Sequence, residues 1–568
     1  MRVLLATLHS KFIHASLALP YLAAYLERTN GCEIIVCEFT VHEPKEGVIA
    51  TILDERPEVV GFSVYIWNRR LILELADAIA VAAPEIRIVL GGPEISFDGP
   101  ELFERHPGLS GLVKGEGEAP FKEILKRLSA GESPAGTPRT LWKTDGGISE
   151  GEWSPPLADL DHIPSPFEAR RVDLTRGFVY LETSRGCPFH CSFCLSSLDR
   201  GVRSFSMERI CSDLSFLLAR QTPKIKLVDR TFNYDPERAR EIFSFILKHN
   251  RGSHFHFEIS ADLLDEETIR LLEAVPEGMF QFEIGIQSTS PTTLTAIRRW
   301  VSLEKIWGNL RRLRRDTRID LHLDLIAGLP GEGYRPFLAS IDQVLAFRPH
   351  HLQIEAVKLL PGSPLRREAA EKGIRFDPNP PYTVMATPDL SFADLERLRE
   401  ISRLLDLTYN TGNFDGILGG LKDCLGSFSA ALETLMTFWK RRGLFRFPQQ
   451  QREIFQKLGE FIRERFTAPD ADLLKELLAL DFARTERPLE EKTPIPFDTA
   501  LTTAEKKVVQ ERVRRETALV KGKGIKVQYF AAAFCHRPEF RPRTVVLFLY
   551  FIQGGRKMAM TETRLTTG

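Results

Sequence analysis

A chain of 568 residues, 43% hydrophobic and 27% charged, has the composition of an ordinary folded protein, and at about 100–200 residues per domain it holds three or so domains rather than one core. Lys plus Arg and Asp plus Glu both number 76, so no global basic field argues for nucleic acid as a partner. No apolar run approaches the roughly 18 residues of a spanning helix, and the start MRVLLATLHSKFIH lacks the layout of a signal peptide, so the sequence predicts a cytoplasmic protein without a membrane segment.

Residues 1–130 alternate strand-like apolar runs such as RVLLATL, EIIVCEF, VVGFSVY and RIVLGG with helical patterns such as LALPYLAAYLERT and LILELADAIAVAA. That alternation predicts βαβ units, a parallel sheet with helices on both faces. Ligands of such sheets sit outside the carboxyl ends of the strands, which here carry Thr7 to His14, Ser63 to Trp67, Gly91 to Glu94 and Gly115 to Glu118. Residues 131–177, with SPAGTP, DGG and SPP, read as a linker. From 178 to 390 the alternation returns, with strands predicted at FVYLET, KIKLVD, HFHFEIS, FQFEIGI, DLHLDLIA and HLQIEAV. Residues 391–568 read as a third, mainly helical domain of long amphipathic helices, with two β-rich runs, KVQYFAAAF and TVVLFLYF, near the end.

The most informative run follows the first strand of the second region. In TSRGCPFHCSFCLSS, Cys187, Cys191 and Cys194 stand at CxxxCxxC spacing. Thiolates are the protein ligands of iron-sulfur clusters, and three of them on a cubic cluster leave one iron open. The alternative is zinc, which would want a fourth Cys or His closed around it, and His190 lies inside the loop. The five other cysteines are scattered and read as isolated thiols. With Phe193 just before the last Cys, the segment resembles the radical SAM superfamily. The resemblance implies a [4Fe-4S] cluster on these three residues, S-adenosylmethionine chelated to the open iron, reductive formation of a 5'-deoxyadenosyl radical, and a partial (β/α)6 barrel. It also implies cofactor contacts at the strand ends: Asp229 on the second strand, Glu258 and Ser260 on the third, Glu283 and Gln287 on the fourth, with DLIAGLPGE, starting at Asp324, similar to the family's fifth-strand motif. Under strict alternation Glu283, Gly285 and Gln287 share one face, and Gly285 is expected to leave room there for the ligand.

The first domain resembles the cobalamin-binding Rossmann-like domain of cobalamin-dependent radical SAM enzymes, through SLALPYLAAYLE, VLGGPE and KGEGE. This implies cobalamin contacts at Ser63, Gly91, Gly92 and Glu116, the glycines admitting the nucleotide tail. The DxHxxG element that supplies an axial His elsewhere is missing, so no axial imidazole is expected, and His9 and His14 read as hydrogen-bonded loop residues. A domain that keeps the fold without the cofactor is the alternative. The resemblance, which extends to a helical region after the barrel, implies C-methylation of an unactivated carbon in a small molecule or peptide, with a reductant such as flavodoxin or ferredoxin. Radical cyclisation, rearrangement or oxidation without methyl transfer, and a non-catalytic cofactor-binding sensor, are the other readings. RNA methylthiolation is disfavoured, because a second upstream cysteine trio is missing.

Overall fold

The computed structural model describes residues 1–565 apart from 12, 28, 30, 200 and 490–492. The chain divides into two compact units, Met1–Gly333 with Ala356–Ser391, and Tyr334–Glu355 with Phe392–Gly568.

The first unit begins with a seven-stranded sheet of order β2-β1-β3-β4-β5-β6-β7, built from β1 Arg2–His9, β2 Glu33–Thr40, β3 Val59–Ser63, β4 Arg87–Gly91, β5 Leu109–Val113, β6 Thr140–Thr144 and β7 Gly147–Glu150. The first five strands are parallel. β1 is apolar almost throughout because both of its faces are covered. Val3 and Leu5 pack with Leu19 and Ala23 of helix Ala18–Leu26 and with Phe121 and Ile124 of helix Glu118–Ser129. Leu4, Ala6 and Leu8 point the other way, onto Ile72 and Ile79 of helix Arg69–Ala82 and Ile52 of helix Lys45–Asp54. The expected linker is corrected in its middle part. β6 and β7 form a hairpin antiparallel to β5, because Leu141 and Trp142 alternate into the two cores of the sheet. The glycine-rich composition there belongs to the turn at Asp145 and Gly146.

The second part of this unit holds β8 Val179–Leu181, a short antiparallel pair of β9 Ser184–Arg185 and β10 Arg203–Ser204, and the strands β11 Lys224–Leu227, β12 His254–Ile259, β13 Phe280–Gln287 and β14 Asp320–Ala327. β8, β11, β12, β13 and β14 are parallel neighbours in that order. Their alternation sorts the side chains. Phe257, Phe280 and Phe282 pack against Phe243 of helix Pro236–His249, with ring centroids 5.1–5.8 Å apart, and that helix is started by Asp235, whose carboxylate accepts from the backbone N–H groups of Glu237 and Arg238. With the phenylalanines on the helix side, the intervening polar residues line the inner face of the strands.

The sixth predicted strand forms at His351–Ala356, and all but its last residue belongs to the second unit, as does helix Tyr334–Leu345. The core expected as one stretch over 178–390 is therefore divided between the units. The second unit is mainly helical, with helices including Phe428–Arg441, Gln451–Arg465 and Asp470–Thr485 and a three-stranded antiparallel sheet of Lys526–Phe534, Thr544–Gln553 and Arg556–Leu565. Among the described residues no helix is long and apolar enough to cross a membrane.

Candidate functional site

The cysteine loop leaves β9 through Gly186, whose φ of +99° puts it in the left-handed region and where a Cβ would stand 2.2 Å from the Gly201 carbonyl oxygen. Glycine is required there by the loop's own backbone. The loop is pinned further along by Ser192, whose N–H donates to Ile297 O at 2.8 Å and whose carbonyl accepts from Leu365 N at 2.8 Å. Cys187 and Cys191 are buried and Cys194 is half-buried. Cys187 Sγ lies 3.3 Å from Thr231 Oγ1, and Arg299 Nη1 lies 3.6 Å from Cys191 Sγ while its Nη2 donates to Gly285 O at 2.6 Å. Burial pushes the Cys191 thiol up, and Arg299 acts against it. Zinc would hold thiolates at about 2.3 Å and so draw the sulfurs to roughly 3.8 Å of one another. The three sulfurs are not gathered that tightly: among the described residues the group with all ligand atoms within 4.8 Å of one another is Glu476, Cys535 and His536. Wider spacing, with two thiols buried and one half-buried, suits a cluster rather than a single ion.

The inner face of the strands is charged. Lys226 on β11 stands 3.5 Å from Glu258 Oε1 on β12 and 3.4 Å from Glu283 Oε2 on β13. His256 Nε2 lies 2.7 Å from the same Glu283 oxygen, and His322 Nε2 is 3.2 Å from Asp324 Oδ1 on β14. Burial would raise the Glu283 carboxyl, but the hydrogen bond from His256 and the charge of Lys226 outweigh it and hold it at about 2. Glu258 goes the other way, raised by burial and by the neighbouring Glu283 charge. Burial also lowers His256, against the pull of Glu283. Lys226, His256 and His322 did not emerge from the sequence reading. Their signal is present in KIK, HFH and LHL, where a polar residue recurs at alternate positions of strands otherwise apolar.

Glu283, Gly285 and Gln287 do alternate with buried Phe282, Ile284 and Ile286. The register with β14 slips between Gly285 and Gln287, however, and Gln287 has φ +69°. A Cβ on Gly285 would come 2.1 Å from Gln287 Nε2. The space expected for a ligand at Gly285 is therefore filled by the Gln287 amide. Its Oε1 is buried without a hydrogen-bond partner among the described residues, and such an acceptor costs about 1–3 kcal/mol unless a ligand supplies a donor.

Two of the strand-end residues have partners within the protein. Asp229 is fully buried and accepts from Thr183 N at 3.1 Å, Thr183 Oγ1 at 2.6 Å and the Ser184 hydroxyl. It ties β11 to the start of the cysteine loop. Ser260 donates to Asp262 Oδ1 at 2.6 Å, and its backbone pairs with the Asn233 side chain.

In the first sheet the strand order reverses between β1 and β3, the position where open parallel sheets leave a crevice. Thr7 Oγ1 donates to Ser63 O at 2.9 Å, and Asn68 Nδ2 and Trp67 Nε1 both donate to Leu8 O at 3.0 Å. Tyr65 and Trp67 stack at 4.5 Å, and Trp67 keeps 47% of its surface exposed, an apolar plate suited to a flat macrocycle. His9 lies 3.3 Å from Glu38, and His14 Nδ1 lies 3.1 Å from Tyr180 Oη on β8. Gly91 has ordinary space around it, but Gly92 needs its φ of +105° and lacks room because a Cβ would stand 2.6 Å from Val64 O. The chain's own turn demands that glycine, independently of any ligand. Glu116 has partners within the protein. It accepts from Arg185 Nη1 at 3.0 Å and pairs with Arg203; burial raises its carboxyl, and the two guanidinium groups outweigh that and hold it below the usual range. Arg185, two residues before Cys187, also pairs with Glu118 at 2.8 Å and Glu182 at 3.0 Å. The KGEGE loop of the first sheet is thus clamped to the root of the cysteine loop.

Residues 2–125 match the B12 binding domain, residues 181–344 the radical SAM superfamily, and residues 370–529 the family described as protein of unknown function (DUF4080). The chain is similar to the cobalamin-dependent radical SAM methyltransferase TokK of Streptomyces tokunonensis, 25% identical over 64% of this chain and 56% of that protein. It is also similar to the hopanoid C-3 methylase of Methylococcus capsulatus, 29% identical over 48% of this chain and 53% of that protein. It spans about half the length of these relatives. Among solved structures it resembles the cobalamin-dependent S-adenosylmethionine radical enzyme OxsB with aqua-cobalamin and S-adenosylmethionine bound, at TM-score 0.59 and 17% identity over 92% of this chain and 81% of that one. TsrM from Kitasatospora setae, with cobalamin and [4Fe-4S] cluster bound, matches at TM-score 0.55 and 20% identity over 67% and 78%. At such identities the likeness is one of fold.

Proposed function

We propose that this chain, a cobalamin-dependent radical SAM protein with a B12-binding domain at residues 2–125 and a radical SAM core at residues 181–344, C-methylates an unactivated carbon of a small molecule or peptide. The observation that carries the proposal is the Arg185 clamp, which fixes the B12-binding domain to the root of the loop bearing Cys187, Cys191 and Cys194. Through its three carboxylate partners Arg185 ties the KGEGE loop of the B12-binding domain to the core, so that the two cofactor sites are held as one unit.

When bound, the three cofactors supply a reducing electron, a source of carbon-centred radical and a transferable methyl group. The protein's residues hold and orient them. Cys187, Cys191 and Cys194 provide three thiolates and leave the fourth cluster corner open. Arg299 places a guanidinium beside Cys191 and so favours its thiolate form. Gln287 Oε1 and the Glu258 carboxylate offer acceptors to the donor groups of S-adenosylmethionine. Glu283, fixed by His256 and Lys226, gives the lumen a permanent charge that orients a polar substrate without itself changing protonation near neutral pH. Ser63 and Gly91 stand at the crevice of the first sheet, with Trp67 as the plate for the corrin.

The reductant proposed is flavodoxin or ferredoxin and the compartment the cytoplasm, where thiols such as the eight unpaired cysteines stay reduced. The balanced charge favours a small or peptide substrate over nucleic acid. Anaerobic reconstitution with iron, sulfide and cobalamin, followed by dithionite and S-adenosylmethionine bearing a deuterated methyl group, tests the proposal. Labelled methyl on the corrinoid together with 5'-deoxyadenosine is expected. 5'-Deoxyadenosine with no label on the corrinoid would replace methylation by a cyclase, rearrangement or oxidation.

A further inference from the structure

The loop after β4 and the core segment from Pro361 to Tyr382 enclose a cavity of about 440 Å³. None of its described lining residues belongs to the cysteine loop or the charged lumen. Four arginines line it, Arg69, Arg105, Arg366 and Arg367, against two carboxylates, Glu94 and Asp98. Both carboxylates are already engaged. Arg69 donates to Asp98 Oδ2 and Oδ1 at 2.7 Å each and lies 3.6 Å from Glu94 Oε1, and Glu94 also accepts from the Tyr382 hydroxyl.

The other three arginines are held by backbone oxygens. Arg366 Nη1 donates to Leu359 O at 2.7 Å, Arg367 Nη1 to Gly362 O at 3.0 Å, and Arg105 Nε reaches Glu101 O at 3.5 Å. Carbonyl partners fix a guanidinium without neutralising it. Arg366 is oriented further by the rings of Tyr382 and Phe376, at 4.6 and 5.0 Å from their centroids. Cations converging in one concavity repel one another, more so where walls displace water, and in a chain whose charges balance at 76 and 76 the excess is local. Several forked donors around one volume match the oxygens of a phosphate group better than the two of a carboxylate.

We infer that this cavity is a binding site for a phosphate ester. Two ligands carry that chemistry: the phosphodiester of the corrinoid's nucleotide tail, a source that rests on the cobalamin reading above, and a phosphorylated substrate, which does not. Both would be held by Arg366 and Arg367 from the core and Arg105 from the helix Glu101–Arg105 that follows β4.

Inorganic pyrophosphate titrated calorimetrically into the full-length protein tests the site. The wild type binds it, and Arg366→Gln with Arg367→Gln weakens binding at least about tenfold, the loss of one or two charge-assisted bonds. Arg105→Gln with Arg367→Gln, both on exposed side chains, weakens it in the same direction with no risk to the core. Cobalamin and cobinamide affinities separate the sources. Weaker cobalamin with unchanged cobinamide assigns the site to the nucleotide tail, and unchanged affinity for both assigns it to a phosphorylated substrate. A wild type that binds pyrophosphate but takes up no cobalamin keeps this site and removes the cobalamin reading. Equal pyrophosphate affinity in wild type and both double variants, or none in the wild type, overturns the inference.

Discussion

The cysteine loop and the charged lumen belong to one core but are assembled in opposite ways. The loop draws its three thiols from eight consecutive residues, and its backbone supports, Gly186 and Ser192, lie inside or beside the same stretch. The lumen takes Lys226, His256 with Glu258, Glu283, and His322 with Asp324 from four different strands. The loop is therefore specified by spacing and the lumen by strand register. A substitution in the first should act in an all-or-none manner on metal content, and one in the second should grade binding and turnover with metal intact.

The largest effect falls on the loop. Cys187→Ala, Cys191→Ala or Cys194→Ala should each reduce reconstituted iron from about four per chain to a small residue, whereas Cys424→Ala should leave it unchanged. Full iron in any of the three loop variants would move the ligand assignment. Next comes the clamp. Arg185→Met leaves Glu116, Glu118 and Glu182 without their shared cation. Burial already lifts Glu182 to about 7 even with Arg185 opposing it. Breaking a buried pair on one side costs about 3–5 kcal/mol, so the urea midpoint should fall sharply and Arg185→Lys should restore part of it. An unchanged midpoint would show the clamp to be inert.

Legibility followed the same division. The CxxxCxxC loop, the parallel first sheet and the strand positions of the core could all be read locally, from spacing and from the alternation of apolar runs. What stays hidden in the sequence is whatever depends on distant partners. Asp229 reads as a cofactor contact at a strand end, and nothing near it in sequence announces Thr183 and Ser184 as its donors. Glu116 sits in a suggestive KGEGE loop, yet Arg185 and Arg203, some seventy and ninety residues later, claim it. Gly92 and Gly285 were read as room for a ligand, and each instead makes room for the chain itself, Val64 O in one case and the Gln287 amide in the other.

The lumen supplies the smaller effects. Glu283→Gln removes the anion that His256 and Lys226 share, and with iron unchanged should lower 5'-deoxyadenosine formation about ten- to a hundredfold, the worth of a charged hydrogen bond. Loss of iron in that variant would erase the distinction between loop and lumen. Gln287→Ala, which deletes a single unpartnered acceptor, should raise the S-adenosylmethionine dissociation constant about fivefold. An unchanged constant takes Gln287 out of the site.

The central claim is that the loop of Cys187, Cys191 and Cys194 carries a cluster that cleaves S-adenosylmethionine. The most direct measurement is chromatographic quantification of 5'-deoxyadenosine after the anaerobically reconstituted full-length protein is incubated with dithionite and S-adenosylmethionine, beside the triple Ala variant. The account predicts 5'-deoxyadenosine from the wild type and none from the variant. Intact S-adenosylmethionine in the wild-type reaction with four irons bound, or equal product from both proteins, would contradict it.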